Sequence, residues 1–359
     1  MDIKKTYLDA AFPPETKDSA RPGPVRRVVS HPNIQIVAVC AVFVIMQFMA
    51  MDGILFSSPF ITALGSTLIY SIVSIGFCLL LGYSGLASLG TAGFIGLGAY
   101  AAFYIVQELG APYIVALLVT LAVSIIIGVS VGFISLRIEG IYLAIMTLGL
   151  AEIIRNLLMA IKATIKIDIG NINLFGVNVN DKAVFLLIVV HFAALMILTS
   201  NLIRSPVGRS MLAMKNSTSA AQAMGISLMK YRLLAFVIST IYAAVGGLLY
   251  MMYVRNVTTA TSTLLTLTTS LNILGAVIIG GSKSLWGTTV GAFIIYGLQS
   301  MFLSKIDFFQ KNPAFITMVT GVLIILVVMF FPGGIAQMLS MLRGWIRRRR
   351  YERRLKAYE

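Results

Sequence analysis

Few residues in this 359-residue chain could do chemistry, and those few are not spaced for it. The two histidines, His31 and His191, lie far apart, and Cys40 and Cys78 each sit inside an apolar run. No His/Cys cluster has the spacing of metal ligands, no paired carboxylates fall at helical spacing, and no nucleophile stands beside a base. No catalytic residue and no metal site are therefore expected. The chain also lacks any G-x-x-x-x-G-K-[ST] stretch, so it cannot cradle ATP phosphates by a P-loop. Polar groups set among apolar ones are what remain. Glu152 and Arg155, three apart in AEIIRNLL, share a helix face and can pair, which lowers the cost of placing charge in a membrane. Such a pair either serves function or sits near the outer end of its helix and fixes its depth. Asn272, in LTTSLNILGAVIIGG, should face a bundle interior.

The stretch Gly82 to Tyr100, GYSGLASLGTAGFIGLGAY, places glycines at 82, 85, 90, 93, 96 and 98 inside an apolar run. Two readings stand. Ser88, Ala92 and Gly96 follow at i, i+4, the small-residue stripe that lets helices touch in lipid. The same glycines let the backbone unwind and turn polar groups toward a cavity. If it unwinds, Gly85, Ser88, Gly90 and Thr91, with Tyr142 and Thr147 on a neighbouring span and Asn272, would line a mostly apolar passage with few neutral polar groups. Gly128 with Gly132, and Gly287 with Gly291, are further small pairs read as packing.

The elements that must hold these residues are membrane helices. With 58% hydrophobic and only 11% charged residues, the chain falls outside the composition of soluble domains. Its net charge of +15 flanks apolar segments, which membrane orientation explains better than nucleic acid does. Apolar runs fall at about 34–51, 60–82, 85–106, 113–136, 140–161, 184–203, 232–254, 264–281, 287–304 and 314–331. Ten spans return both ends to one side. Of 28 Lys and Arg, 21 then lie on inner segments, Arg137 and Lys283 among them, which puts both termini in the cytoplasm. The runs at 85–106 and 264–281 are short or glycine-broken and could be discontinuous. The fold class expected is an all-α polytopic membrane protein. Residues 1–33 read as a disordered basic tail rather than a cleavable signal, 34–331 as the membrane domain, and 332–359 as a second basic tail.

One internal polar segment stands out. Residues 204–232 carry Arg204, Arg209, Lys215, Lys230 and Arg232 with no acidic residue. Ser217 to Ser219 offer N-cap oxygens, and Gly225 stands where a left-handed C-cap would end a short helix. Two short helices around a hinge follow, with Met211, Leu212, Met214, Ala220, Ala221 and Met224 giving adaptable apolar faces. Such faces either dock in a partner's groove or lie on headgroups.

The four stretches GYSGLASLGTAGFIGLGAY, LRIEGIYLAIMTLGLAEIIR, SPVGRSMLAMKNSTSAAQAMGISLMKYRLLAFVIS and VIIGGSKSLWGTTVGAFI together resemble the permease subunits of branched-chain amino-acid ABC importers. The likeness runs over about residues 60–331 and favours the M-type subunit. The resemblance implies that Gly208, Arg209, Met214, Ala220, Ala221, Gln222 and Gly225 belong to a segment that couples to an ATPase. It implies two ATP-binding subunits holding ATP and Mg, a second related permease, and an extracytoplasmic solute-binding protein, at a prokaryotic cytoplasmic membrane. This chain itself would need no cofactor. It departs from the family pattern at Asn216 to Ser219 and Gln222, where acidic residues are usual, at Thr91 in place of a His, at Ile141 in place of an Asp, and at Asn272 in place of a Glu. Urea, short amides, nucleosides or simple sugars are the alternative cargoes. An ion-coupled secondary transporter, whose one strong intramembrane carboxylate would be Glu152, is the competing class.

Overall fold

The computed structural model describes residues 32–51, 58–135, 140–167, 173–174, 177–178, 181–258, 263–301, 313–330 and 333–338, with 303, 306, 309 and 341 singly. The basic tails expected at 1–33 and 332–359 lie almost wholly outside these residues, as do Arg137 and Glu139.

In chain order the helices are α1 (Pro32–Met51), α2 (Ser58–Cys78), α3 (Thr91–Ala102), α4 (Tyr113–Ser135), α5 (Ile141–Ile161), α6 (Asp181–Arg204), α7 (Pro206–Asn216), α8 (Thr218–Ala223), α9 (Leu228–Val254), α10 (Leu267–Gly280), α11 (Leu285–Ala292), α12 (Leu298–Met301) and α13 (Pro313–Phe330). π-helical turns follow α2 at Leu79–Tyr83 and α3 at Phe103–Glu108, and a third joins α11 to α12 at Phe293–Gly297. Five of these helical stretches are long and apolar enough to cross a membrane: Pro59–Tyr83, Tyr113–Ile134, Ile141–Ile161, Ala183–Arg204 and Leu228–Val254. Asn33–Met49, Leu267–Gly280 and Phe315–Val327 are apolar but shorter. The arrangement is that of an all-α membrane protein, with two small strand pairs added. The strand Thr164–Lys166 pairs antiparallel with Asn256–Thr258, and Asn173–Leu174 with Val177–Asn178.

The molecule is built around α2 and α9. Of the apolar stretch in α2, 83% is buried, against 17% in α5, so α2 is a central helix and α5 a peripheral one. A buried helix must satisfy its hydroxyls, and α2 does so locally: Thr67 Oγ1 donates to the Ala63 carbonyl at 2.7 Å and Ser71 Oγ to that of Thr67 at 2.8 Å. Helix α5 buries a single stripe, Leu143, Thr147, Ala151, Ile154 and Leu158, which repeats every three or four residues and leaves the rest of the helix outward.

Helices α3 and α9 cross backbone to backbone. A Cβ on Gly98 would lie 1.8 Å from the Ala244 carbonyl oxygen, and one on Gly247 would lie 1.9 Å from that of Ile95. The other small pairs also pack: Gly128 faces Thr240 and Gly132 faces Leu233 of α9, while Gly287 and Gly291 lie on Gly280 and Ala276 of α10.

Two ends can be told apart by what gathers there. At one, Tyr253 donates to the Ile61 carbonyl at 3.1 Å, Lys162 pairs with Glu108 at 2.7 Å, and the ladder between Thr164–Lys166 and Asn256–Thr258 closes. At the other, the end of α2 meets the turn before α11, where Tyr83 donates to the Lys283 carbonyl at 3.0 Å. The stretch Pro59–Tyr83 runs from one to the other, about 37 Å at 1.5 Å per residue, enough to cross a bilayer.

Candidate functional site: a broken helix tied to a polar segment

After the π turn the chain leaves helical geometry over residues 84–90 and resumes as α3 at Thr91. Unwinding therefore occurs, and the helical stripe expected from Ser88 through Ala92 to Gly96 does not form, because Ser88 lies in the unwound stretch. Tight packing holds one segment on, where Gly93 meets Ala151 and Gly98 meets Ala244.

An unwound backbone inside a bundle must find partners for its freed N–H groups, and hydroxyls supply them. The Leu89 N–H donates to Thr147 Oγ1 on α5 at 3.0 Å, that of Gly90 to Ser88 Oγ at 3.3 Å, and that of Ala92 to Ser270 Oγ on α10 at 3.0 Å. Thr147 and Ser270 are fully buried. Gly85, with φ +75°, makes the turn that starts the segment.

The carbonyls just before it meet a cation. Lys215, on α7, donates from Nζ to the carbonyls of Leu81 at 3.1 Å and Gly82 at 2.8 Å. These are among the last acceptors of a helix end, where a cation also meets the negative pole of the dipole. Burial, and then the nearby Lys283, push the Lys215 pKa below the ordinary lysine value. The stem of Lys215 lies over Gly85, where an added Cβ would come within 3.2 Å of its Cγ.

The polar segment has the expected form of two short helices and a hinge. Ser205 caps α7, and the Ser217 side chain accepts from the Ala220 N–H at the start of α8. At its end Gly225 has φ +78°, its N–H donating to Gln222 and that of Ile226 to Ala221, the paired bonds of a Schellman cap. The faces divide differently from the expectation, however. Gly208, Met211, Met214 and Ala221 are buried within the chain, whereas Arg209, Ala220, Gln222, Met224 and Gly225 are exposed, Met224 by 72%. Helix α7 packs its methionines inward, and the outward ridge belongs to α8.

The passage residues do not all converge. Ser88, Gly90, Thr91 and Thr147 come together, whereas Gly85 lies under Lys215 and Tyr142 is 69% exposed. It lies five positions from Thr147, well around the helix from the buried stripe. Asn272 is two positions from Ser270, about 200° around α10, and so opens into a different cavity. The void beside Ser88 and Thr91 measures about 10 Å³, room for no more than a water in this conformation.

Glu152 and Arg155 form the expected pair at 2.7 Å, with their side chains 49% and 23% exposed respectively. They lie near the middle of α5, Glu152 turned outward and Arg155 partly buried beside the stripe. His191 is a packing residue, its Nε2 meeting the Tyr113 hydroxyl at 3.0 Å and its Nδ1 the Leu187 carbonyl at 2.8 Å. Sequence reasoning missed Ser270 and the reach of Lys215. A hydroxyl in the first turns of an apolar helix was the available signal for Ser270; nothing local marked Lys215 apart from its neighbours' charge.

Residues 60–328 match the family model for the branched-chain amino acid transport system / permease component. The chain is 29% identical over 282 residues to the high-affinity branched-chain amino acid transport system permease protein LivM of Salmonella typhimurium, covering 69% of this chain and 66% of that protein. It is 28% identical over 272 residues to the LivM protein of Escherichia coli, covering 66% of this chain and 63% of that one. The matched stretch thus spans a little under two thirds of the length of these curated relatives. No solved structure matches. The family match covers most of the chain and includes both the unwound segment and the capped polar loop, and on that ground the chain belongs to the branched-chain amino acid transport permease family.

Proposed function

We propose that this chain is the membrane-spanning subunit of an ATP-driven importer that carries branched-chain or other hydrophobic amino acids across a prokaryotic cytoplasmic membrane. Two separate subunits supply the ATP and Mg chemistry, one of them docking on the exposed ridge of α8, and an extracytoplasmic binding protein delivers cargo. The observation that carries this reading is the Lys215 contact, since it joins the segment a partner would move to the broken helix whose N–H groups are held by α5 and α10. Closure of the ATPases would shift α7 and α8, and the unwound stretch would follow.

Gly225→Pro tests the docking assignment. Proline cannot adopt φ +78° and has no N–H for the Gln222 carbonyl, so the cap is lost. ATP-dependent leucine uptake by membrane vesicles with collapsed ion gradients should be present in wild type and absent in the variant, together with co-purification of the ATPase. Uptake that follows an ion gradient without ATP would support a secondary transporter instead. Normal ATPase association in the variant would remove α8 as the docking ridge.

A second permease fits the open side of α5. An ion pair near mid-span whose carboxylate is half exposed is costly against lipid and tolerable against protein. Glu152→Gln leaves Arg155 unpaired, and the amount of assembled complex recovered from membranes should fall several-fold. Unchanged assembly with an altered choice of substrate would place the pair in the pathway.

A further inference from the structure

At the end of the bundle opposite Lys215 lies a cavity of about 350 Å³, within the size range of small-molecule sites. Ser66 and Tyr70 of α2, Tyr250 of α9, Asn272 of α10, Gln299 of α12 and Thr320 of α13 are among its walls. We propose that this cavity is the internal binding site for the solute in transit, and that it takes a small zwitterion with an apolar side chain. The inference rests on the transport reading above and assigns it a place in the molecule.

The chemistry of the walls selects that class. Ser66, Ser300 and Thr320 each give their hydroxyl proton to a carbonyl of their own helix, Ser66 to Ala63 at 3.0 Å, Ser300 to Tyr296 at 2.7 Å and Thr320 to Ile316 at 2.9 Å. What the Ser66 and Thr320 hydroxyls retain is acceptor capacity, suited to an ammonium or other N–H donor. The Asn272 and Gln299 carboxamides form no hydrogen bond with another described residue, so their N–H groups are available to a carboxylate or carbonyl. One wall is aromatic: Tyr70 and Tyr296 stack with centroids 3.9 Å apart, and the Tyr296 hydroxyl is tied to the Thr269 carbonyl at 3.3 Å. A fixed ring pair offers a flat apolar surface to an aliphatic side chain. Among the described residues no Asp, Glu, Lys, Arg or His lines the cavity, so a solute with net charge would lose its hydration without a counter-charge.

Position agrees with the chemistry. Tyr250 lies one turn from Tyr253, whose contact with Ile61 marks the end away from Lys215. In the proposed orientation this is the outer half of the bundle, where a solute arrives before the segment at 84–90 admits it. Asn272 reaches this cavity while Ser270, on the opposite side of the same helix, holds the Ala92 N–H. Helix α10 therefore touches both cargo and gate.

The test uses the full complex in proteoliposomes with its binding protein and radiolabelled L-leucine. Asn272→Leu and Gln299→Leu should each lower the maximal uptake rate about tenfold, the loss expected for one or two hydrogen bonds of roughly 1 kcal/mol each plus the blocked space. Half-saturation, set by the binding protein, should not move, and the recovered complex should match wild type. Thr317→Cys supplies a second readout, because both native cysteines are buried. Its reaction with an impermeant maleimide should be slowed by L-leucine and not by L-lysine or L-glutamate. Wild-type complex that accumulates no leucine would overturn the transport reading and this site with it. Wild-type uptake with unchanged variant rates and no protection at position 317 would overturn the site alone.

Discussion

Lys215→Met is expected to leave the complex assembled while lowering uptake by tenfold or more. Methionine keeps most of the apolar stem over Gly85 but removes the ammonium that meets the Leu81 and Gly82 carbonyls. Hydrogen bonds to a charged group contribute about 1.5–3 kcal/mol each, so loss of two detaches α7 from the end of α2 without emptying the core. The buried Met211 and Met214 still seat α7 on the bundle. ATP hydrolysis should continue but respond less to loaded binding protein, which separates a broken linkage from a broken subunit. Lys215→Arg should restore part of the uptake, since guanidinium also donates to carbonyls but with a longer reach. Full uptake in Lys215→Met would mean that the contact caps a helix and transmits nothing.

How far the structure could be read beforehand depended on the kind of signal. Long apolar runs mark helices directly, and the starts and ends of α2, α4, α5, α6 and α9 fall within a few residues of the runs that predict them. The two-helix form of the segment at 204–232 was legible because its caps are local chemistry, Ser217 at one end and Gly225 at the other. The glycine-rich stretch was legible only as a choice. Glycine permits both close packing and unwinding, and the outcome depends on whether partners exist for the freed N–H groups. Those partners, Thr147 and Ser270, come from distant helices.

What failed were statements about which side of a helix a residue occupies. Met214 and Ala221 read as an outward docking face because the segment is polar as a whole, yet α7 lies along the bundle and turns its methionines inward. Tyr142 and Asn272 share helices with Thr147 and Ser270, and rotational phase separates them. In a membrane helix both sides are apolar, so the amphipathic contrast that sets phase in a soluble helix is weak. The few hydroxyls carry most of that information.

The largest effect on the protein itself is expected at the crossing of α3 and α9. Gly98 lies under the Ala244 carbonyl and Gly247 under that of Ile95, a reciprocal contact in which each glycine admits the other helix's backbone. A Cβ at either position would fall 1.8 or 1.9 Å from a carbonyl oxygen, so the helices must separate by more than an ångström. Since α9 is central and α3 begins where the unwound segment ends, separation would open the core and displace residues 84–90 together. Without a solvent-driven hydrophobic force between helices in lipid, lost contact is not recovered elsewhere. Gly98→Ala and Gly247→Ala should therefore nearly abolish the recovery of monodisperse protein from membranes, and the valine variants should be little worse, because the first side-chain carbon makes the clash. Gly149→Ala and Gly321→Ala are the matched comparison: each glycine is helical, with nothing within 4 Å of an added Cβ. Those variants should be neutral or stabilising by up to about 1 kcal/mol. Wild-type recovery of Gly98→Ala in size-exclusion profiles of solubilised membranes would show that α3 and α9 do not meet backbone to backbone.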